Sequence, residues 1–198
     1  MGPDENGQGR FRGYIMGQGL LLIDIQNDYF SGGRNELHGM EAAAQQARRA
    51  LEHFRAQGLP VFHVQHISLY PSATFFLPDT DGAAIHELVA PLPGEPVVVK
   101  HAPNSFFETG LKELLDRHEV GRLVVCGSMS HMCVDTTVRA ARDFALPVTL
   151  LHDACATRDL GWSGQTVPAQ QVQAAYMAAL NGSFATVLSA DDYLAGER

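Results

Sequence analysis

The sequence has none of the features that mark membrane proteins or nucleic-acid-binding proteins. No apolar run approaches the roughly 20 residues that a membrane-spanning helix needs. Basic residues form no cluster, and 22 acidic against 14 basic side chains give a net charge of −8, whereas nucleic acids and anionic membranes attract basic surfaces. We therefore expect neither as a partner, and we expect the ligand to be a small molecule.

Cysteine is also scarce. Three cysteines, an odd number without a close pair, argue against a disulfide framework and favour a reducing compartment, so the sequence predicts a cytoplasmic protein. Residues 1–18 are polar and glycine-rich and lack the apolar centre of a signal peptide. We predict a loose tail over residues 1–18 and a single domain over residues 19–198.

The rest of the chain consists of apolar runs that alternate with helical patterns. The runs predict six strands, at residues 19–24, 61–67, 96–100, 123–127, 147–152 and 184–188. Helices are predicted over residues 40–57, 108–118, 133–144 and 167–180. This alternation indicates an α/β protein with a parallel sheet covered on both faces. The long connection over residues 68–94 predicts a functional loop, because long loops in compact domains usually have a role.

The stretch over residues 123–141 organises the rest of the sequence. An apolar β-branched run breaks at Gly127, and a helical pattern resumes with Cys133 in its first turn. The free N–H groups and the dipole of a helix start favour a thiolate there, and such strand–turn–helix arrangements expose nucleophiles above a sheet. Most free cysteines are small buried apolar residues, and this stretch alone leaves both interpretations of Cys133 open.

Three reactive side chains occur at or just after predicted strand ends. Asp24 ends the first strand, Lys100 ends the third, and Cys133 follows the fourth. Ligands of such sheets bind beyond the carboxyl ends of the strands, where the strand order reverses. We therefore expect Asp24 to take the thiol proton and the Cys133 sulfur to attack a carbonyl carbon. Backbone N–H groups of the turn, together with Lys100, would stabilise the oxyanion.

Four segments of the chain together resemble the isochorismatase-like cysteine hydrolase family. They are residues 21–30 (LLIDIQNDYF), 98–106 (VVKHAPNSF), 127–134 (GSMSHMCV) and 153–157 (DACAT). The resemblance implies a catalytic triad of Asp24, Lys100 and Cys133. It also implies a cis Ser128–Met129 peptide bond, with the N–H groups of Met129 and Cys133 as oxyanion donors.

The same resemblance carries expectations for the fold and the assembly. It implies a three-layer α/β/α fold whose six-stranded, mainly parallel sheet has the order 3-2-1-4-5-6. It also implies a homo-oligomer, either a dimer or a tetramer.

The sequence departs from the metal-binding members of that family. Nicotinamidase-like members hold a metal with an Asp-x-His pair after the second strand, but residues 65–68 here read QHIS. His63 and His66 lie three residues apart on a predicted strand, so they point to opposite faces. We expect no metal and no other cofactor.

Other side chains near the strand ends are candidates for substrate contacts. Five aromatic residues in loops predict an apolar pocket wall, although loop aromatics also pack beneath their own loops: they are Phe30, Phe75, Phe76, Phe106 and Trp162. Gln26 is expected to orient Asp24 or a water molecule. His131 either contacts the substrate or caps the turn, and Cys126 and Cys155 are interpreted as structural.

These features predict a hydrolase that cleaves a C–N bond of a small amide or ureide through a thioester. One alternative is a vinyl-ether hydrolase of the isochorismatase type, in which Cys133 is incidental. Another is a non-catalytic member of the same fold that binds a metabolite. Turnover by a Cys133→Ala variant separates the three hypotheses.

Overall fold

The computed structural model describes residues 17–196, and within them one six-stranded sheet carries helices on both faces. The strands are β1 (Gly17–Ile23), β2 (Val61–His66), β3 (Val97–Lys100), β4 (Val120–Ser128), β5 (Val148–Ala156), β6 (Leu160–Trp162), β7 (Gln165–Val167) and β8 (Thr186–Leu188). The helices are α1 (Met40–Ala56), α2 (Leu111–Arg117), α3 (Asp135–Asp143), α4 (Ala169–Leu180) and α5 (Ala190–Leu194). Among the described residues, no helix is long and apolar enough to cross a membrane.

The main sheet has the order β3-β2-β1-β4-β5-β8, and each neighbouring pair is parallel. This confirms the predicted α/β class and the predicted strand order. The chain moves outward from β1 to β3 on one side and from β4 to β8 on the other. The strand order therefore reverses between β1 and β4, whose carboxyl ends lie side by side at the expected ligand crevice.

The central strand β1 is apolar because both of its faces are buried. Leu20 and Leu22 pack into the cluster beneath α1. Leu21 and Ile23 face the opposite cluster, which includes residues of α2 and α3. The twofold alternation of a strand therefore divides one apolar run between two cores, and this fixes the strand end firmly in the middle of the molecule.

Several elements differ from the predictions. The strand β1 begins at Gly17, within the predicted tail, and the other tail residues, 1–16, lie outside the described residues. The strand β5 runs on to Ala156 past a register irregularity. The predicted loop after it contains the β6–β7 hairpin, and α5 lies where a short tail was expected. The strands β6 and β7 and the helix α5 have three to five residues each, too few to show a hydrophobic period.

A cover segment, residues 68–90, leads from the end of β2 towards β3. It contains two short 3₁₀ helices, Asp81–Ala83 and Glu87–Val89. The buried Asp28 carboxylate, just beyond β1, accepts a 2.6 Å hydrogen bond from the Phe76 N–H. Gly82 permits this close packing, because a Cβ there would collide with the same carboxylate. The segment is thus attached to the chain that follows β1.

Candidate active site

The three predicted catalytic side chains meet at the carboxyl edge of the sheet. Asp24 follows β1, Lys100 ends β3, and Cys133 lies in a π-helical turn between β4 and α3. All three are buried, and Cys133 is 5% exposed. The Lys100 Nζ lies 2.8 Å from the Asp24 Oδ2. The ligand atoms of Asp24, Cys133 and His66 all lie within 4.8 Å of one another. The convergence expected from the strand ends is therefore present.

The local backbone at Asp24 is unusual for a residue other than glycine. Its φ of 51° lies in the left-handed region, and its N–H donates to the Val64 carbonyl at 3.1 Å, where β1 ends. Such a conformation costs about 1–3 kcal/mol and persists only where surrounding contacts hold it. The backbone is therefore strained at the strand end that carries the Asp24 carboxylate.

The Asp24 carboxylate is paired with an ammonium and faces the Cys133 thiol. Its Oδ2 lies 2.8 Å from the Lys100 Nζ, and both Lys100 and the Cys133 thiol interact with this carboxylate. Burying a carboxylate is costly unless a partner compensates its charge. The thiol is therefore the neighbouring group from which this carboxylate can take a proton.

The Lys100 ammonium is surrounded by acceptors. It donates to the carbonyls of Ala102 and Pro103 at 3.1 and 3.3 Å and to the His66 Nδ1 at 3.1 Å. Burial works to lower the pKa of Lys100, but the charges of Asp24 and Cys133 raise it overall. The ammonium thus stays charged beside Asp24 and Cys133, and the expected role of Lys100 in stabilising an oxyanion stays a prediction.

The Cys133 thiol is protonated at rest. Burial, followed by the Asp24 charge, raises its pKa to about 12, although the Lys100 ammonium opposes this shift. The expectation that the helix start favours a thiolate is therefore wrong for the resting protein. Helix α3 begins only at Asp135, and burial together with the Asp24 charge disfavours the thiolate at Cys133. A nucleophilic sulfur requires that its proton first leave, and the adjacent acceptor is Asp24.

The turn that carries Cys133 depends on a tightly fitted backbone. The Ser128–Met129 peptide bond is cis. Gly127 has a φ of 125°, and a Cβ on it would collide with the Ile23 carbonyl. Only glycine fits where β4 passes β1 this closely. The oxyanion role of the Met129 and Cys133 N–H groups stays a prediction.

Gln26 lies behind the site and clamps the backbone. Its Oε1 accepts from the His66 N–H at 2.8 Å, and its Nε2 donates to the carbonyls of His66 and Ala83 at 2.9 and 2.7 Å. The side chain is completely buried. Since its donors and acceptor are committed to the backbone, the structure gives no support to the predicted contact with Asp24 or with a water molecule.

The structure gathers some of the predicted aromatic residues and separates others. Phe75 and Phe76 pack on Tyr29, with ring centroids 5.9 and 4.6 Å away, and Phe76 lies 6.0 Å from the His66 ring. Phe30 stacks on the His86 ring at 3.6 Å. The aromatic residues that do approach the site therefore come from the loop after β1 and from the cover segment.

Phe106 and Trp162 lie apart from the other predicted aromatic residues. The Phe106 ring packs 5.0 Å from Phe144, against the core cluster that includes Cys133. Trp162 lies on the β6–β7 hairpin and is 77% exposed. The pocket-wall role of these two residues stays a prediction.

His131 and Cys155 lie on the β5 side of the turn. The His131 Nδ1 lies 2.6 Å from the Thr157 Oγ1, and its ring packs edge-on to Tyr176 at 6.1 Å. This arrangement favours the turn-capping interpretation of His131. Cys155 pairs with Gly127 across the sheet, and burial raises the pKa of its thiol to about 12. Its environment favours the structural interpretation.

Sequence reasoning missed two residues beside the triad. Tyr29 is buried, and its pKa is raised first by burial and then by the charges of Cys133 and Asp24. The pKa of His66 is lowered to about 4 by burial and by the nearby Lys100 ammonium. His66 ends β2, so the rule that selected Asp24 and Lys100 at strand ends identifies His66 as well. No comparable signal marks Tyr29.

The donor set at the site fits an ammonium better than a metal ion. Asp24, His66 and Cys133 have the spacing of metal ligands. The Lys100 Nζ, however, lies 2.8 Å from the Asp24 Oδ2 and 3.1 Å from the His66 Nδ1. A divalent cation would have to displace this positive charge from the same lone pairs. The expected absence of a metal stays a prediction.

Two cavities open at the surface of the described part of the chain. The larger, about 470 Å³, lies between the start of α1, β5 and α4, and no triad residue lines it. The smaller, about 330 Å³, is lined by Tyr70, Phe107 and Ala102, among others. The Ala102 carbonyl binds the Lys100 Nζ, so it is the smaller cavity that adjoins the site.

Comparison with known proteins gives consistent relatives. A model of the isochorismatase domain matches residues 18–192. The isochorismatase family protein YddQ of Bacillus subtilis is 53% identical over 88% of this chain and 97% of that protein. A streptothricin hydrolase of Streptomyces noursei is 37% identical over 77% of this chain and 55% of that protein. The crystal structure of an isochorismatase hydrolase from Oleispira antarctica superimposes with a TM-score of 0.89 at 51% identity, covering 93% of this chain and 99% of that chain.

Proposed function

Because this chain belongs to the isochorismatase family of hydrolases, we propose that it is a cysteine hydrolase that cleaves a C–N bond of a small amide or ureide. The observation that carries the proposal is the position of the Cys133 thiol. It lies beside the buried Asp24 carboxylate and the Lys100 ammonium, which are 2.8 Å from each other. This arrangement allows one proton to move between the Cys133 sulfur and the Asp24 carboxylate.

The reaction begins when the Asp24 carboxylate takes the proton of Cys133 and the sulfur attacks the carbonyl carbon. The oxyanion is stabilised by the N–H groups of Met129 and Cys133 and by the Lys100 charge. Asp24 returns its proton to the leaving amine as the C–N bond breaks, which leaves a thioester. Asp24 then activates water, which releases the acid and restores the thiol.

The other features of the proposal follow from the sequence. The relative that is named a streptothricin hydrolase supports hydrolysis, and its substrate is not carried over to this chain. The three free cysteines support a cytoplasmic location. The family resemblance supports a homo-oligomer. The vinyl-ether alternative gives no role to the proton-transfer pair of Asp24 and Cys133, so the geometry favours the cysteine mechanism.

The test is ammonia release from a panel of primary amides and ureides. We expect Cys133→Ala and Asp24→Asn to lose turnover by more than about a thousandfold, because each removes a group that takes part in every bond change. Cys155→Ala, which removes another buried thiol, is the matched control and should retain turnover.

Three other outcomes would contradict the proposal. Full turnover by Cys133→Ala would exclude the thioester. Pyruvate release from isochorismate that is unaffected by Cys133→Ala would establish the vinyl-ether alternative. Tight binding of a metabolite without turnover would establish the non-catalytic alternative.

A further inference from the structure

The contact between His66 and Lys100 fixes the tautomer of the histidine. The Lys100 Nζ lies 3.1 Å from the His66 Nδ1. An ammonium can only donate hydrogen bonds, so Nδ1 must present its lone pair. The low pKa of His66, about 4, keeps the ring neutral at ordinary pH. A neutral imidazole whose Nδ1 accepts must carry its hydrogen on Nε2.

This Nε2–H group has no partner among the described residues, although the rest of His66 is firmly held. Gln26 binds both its backbone N–H and its carbonyl, at 2.8 and 2.9 Å. The Phe76 ring packs beside the imidazole at 6.0 Å. The side chain is only half-buried. His66 thus combines a fixed backbone, a fixed tautomer and one uncommitted donor.

The imidazole also lies within reach of the reacting atoms. A His66 ring nitrogen, the Cys133 Sγ and an Asp24 carboxylate oxygen lie within 4.8 Å of one another. A carbonyl carbon poised for attack sits about 3–3.5 Å from the sulfur. An acceptor atom one or two bonds from that carbon can therefore reach the His66 ring.

We propose that His66 is a substrate-binding residue whose Nε2–H donates to a second acceptor atom beside the scissile carbonyl. This inference rests on the proposed function and narrows its substrate class. The enzyme selects amides and ureides that carry a second carbonyl oxygen next to the bond that is cleaved. Simple alkyl amides would cover this donor without pairing it, and a site built to bind a polar group discriminates against substrates that lack that group.

Two variants of His66 separate this role from mere support of Lys100. Asparagine can place its oxygen near the Nδ1 position, so His66→Asn keeps an acceptor for Lys100 and loses the outer donor. Glutamine can place its amide nitrogen near the Nε2 position, so His66→Gln keeps the donor and loses the Lys100 contact. Circular dichroism checks that both variants fold.

The substrate probes are malonamide and butyramide, two small primary amides of which only malonamide has a second carbonyl oxygen. We expect the malonamide-to-butyramide ratio of kcat/KM to fall about tenfold in His66→Asn, the usual worth of one hydrogen bond. We expect His66→Gln to keep the ratio while its absolute kcat falls, because Lys100 has lost an acceptor. An unchanged ratio in His66→Asn would overturn the proposal.

A second measurement keeps the inference separate from the proposed function. If the wild type turns over neither amide, labelling of Cys133 by iodoacetamide and by iodoethane is compared by mass spectrometry. Only iodoacetamide has a carbonyl oxygen that His66 can bind. His66→Asn should lower the iodoacetamide-to-iodoethane rate ratio about tenfold, and an equal change in both rates would show that His66 does not contact the reagent.

Discussion

The reactivity of Cys133 depends on its burial and on two charged neighbours that act in opposite directions. Burial and then Asp24 raise the pKa of the thiol, and Lys100 lowers it. With a pKa of about 12, the wild-type thiol should react slowly with iodoacetamide, and its rate should rise throughout pH 6–9 without a plateau. In Asp24→Asn only burial still opposes the effect of the ammonium. We expect that variant to label faster at pH 8 although it has lost turnover.

The control in the same experiment is Cys155, whose thiol is buried away from both charges and should respond to neither substitution. Lys100→Met should have the opposite effect and slow the labelling of Cys133 further. If Asp24→Asn labelled more slowly than the wild type, the assignment of Asp24 as the group that raises the thiol pKa would be wrong.

Substitution of Gly127 should disturb the site through the backbone, because this residue contributes no side chain to it. Alanine there would adopt an unfavourable positive φ and collide with the Ile23 carbonyl. We expect Gly127→Ala to lower the free energy of unfolding by about 3 kcal/mol or more, as measured by urea denaturation. Gly161 is the matched control, because a Cβ there meets nothing within 4 Å. Equal stability losses in both variants would contradict this account.

Among the elements, one ion-pair network ties α1 to the sheet. The Glu95 carboxylate accepts two hydrogen bonds from Arg55, at 2.7 Å each, and lies 2.9 Å from the His63 Nε2. Burial opposes its charge, but the hydrogen bonds from Arg55 and from the Leu92 N–H lower the pKa of Glu95 to about 2. The folded state therefore favours the ionised carboxylate.

The sign of the pH effect follows from this lowered pKa. The stability that the Glu95 charge contributes is present above its ordinary pKa of 4.5 and is lost as the pH falls towards 2. Glu95→Gln should thus lower the free energy of unfolding by about 2 kcal/mol at pH 7 and by much less at pH 2. Glu52→Gln, in an exposed pair with Arg48, should change it by less than about 0.5 kcal/mol.

Some elements were predictable from the sequence because their pattern is long. β1 contains the apolar run over residues 19–23, and α1 repeats its buried alanines over 17 residues. The hairpin of β6 and β7 was missed because each strand has three residues. The cover segment was identified only as a long loop. Its shape comes from contacts with Asp28, distant in sequence, which no local pattern encodes.

At the scale of the whole molecule, burying the ion pair of Asp24 and Lys100 lowers the free energy of unfolding, and its proposed catalytic role accounts for this loss. Removing one partner leaves an uncompensated buried charge, so Lys100→Met should lower the free energy of unfolding by about 3–5 kcal/mol. The double variant Asp24→Leu/Lys100→Met should recover most of this loss, and both variants should be inactive. Urea denaturation of the single and double variants measures the difference. A double variant that is less stable than Lys100→Met would refute this account.

The candidate site was predictable to the extent that it depends on strand ends. Asp24, Lys100 and Cys133 were found because parallel strands deliver their last residues to one edge. The role of Gln26 and the position of Trp162 were not predictable, since side-chain directions depend on packing between distant segments. The oligomeric state stays a prediction.

The attachment of the cover segment has a consequence for heat tolerance. The short stretch from Asp24 to Asp28 carries both the proton acceptor and the anchor that holds Phe76. Detachment of the cover therefore frees the chain immediately after the proton acceptor, and the two losses form one event. Phe76 also belongs to the core beneath α1, so loss of the cover on warming would end catalysis and open that core at the same time.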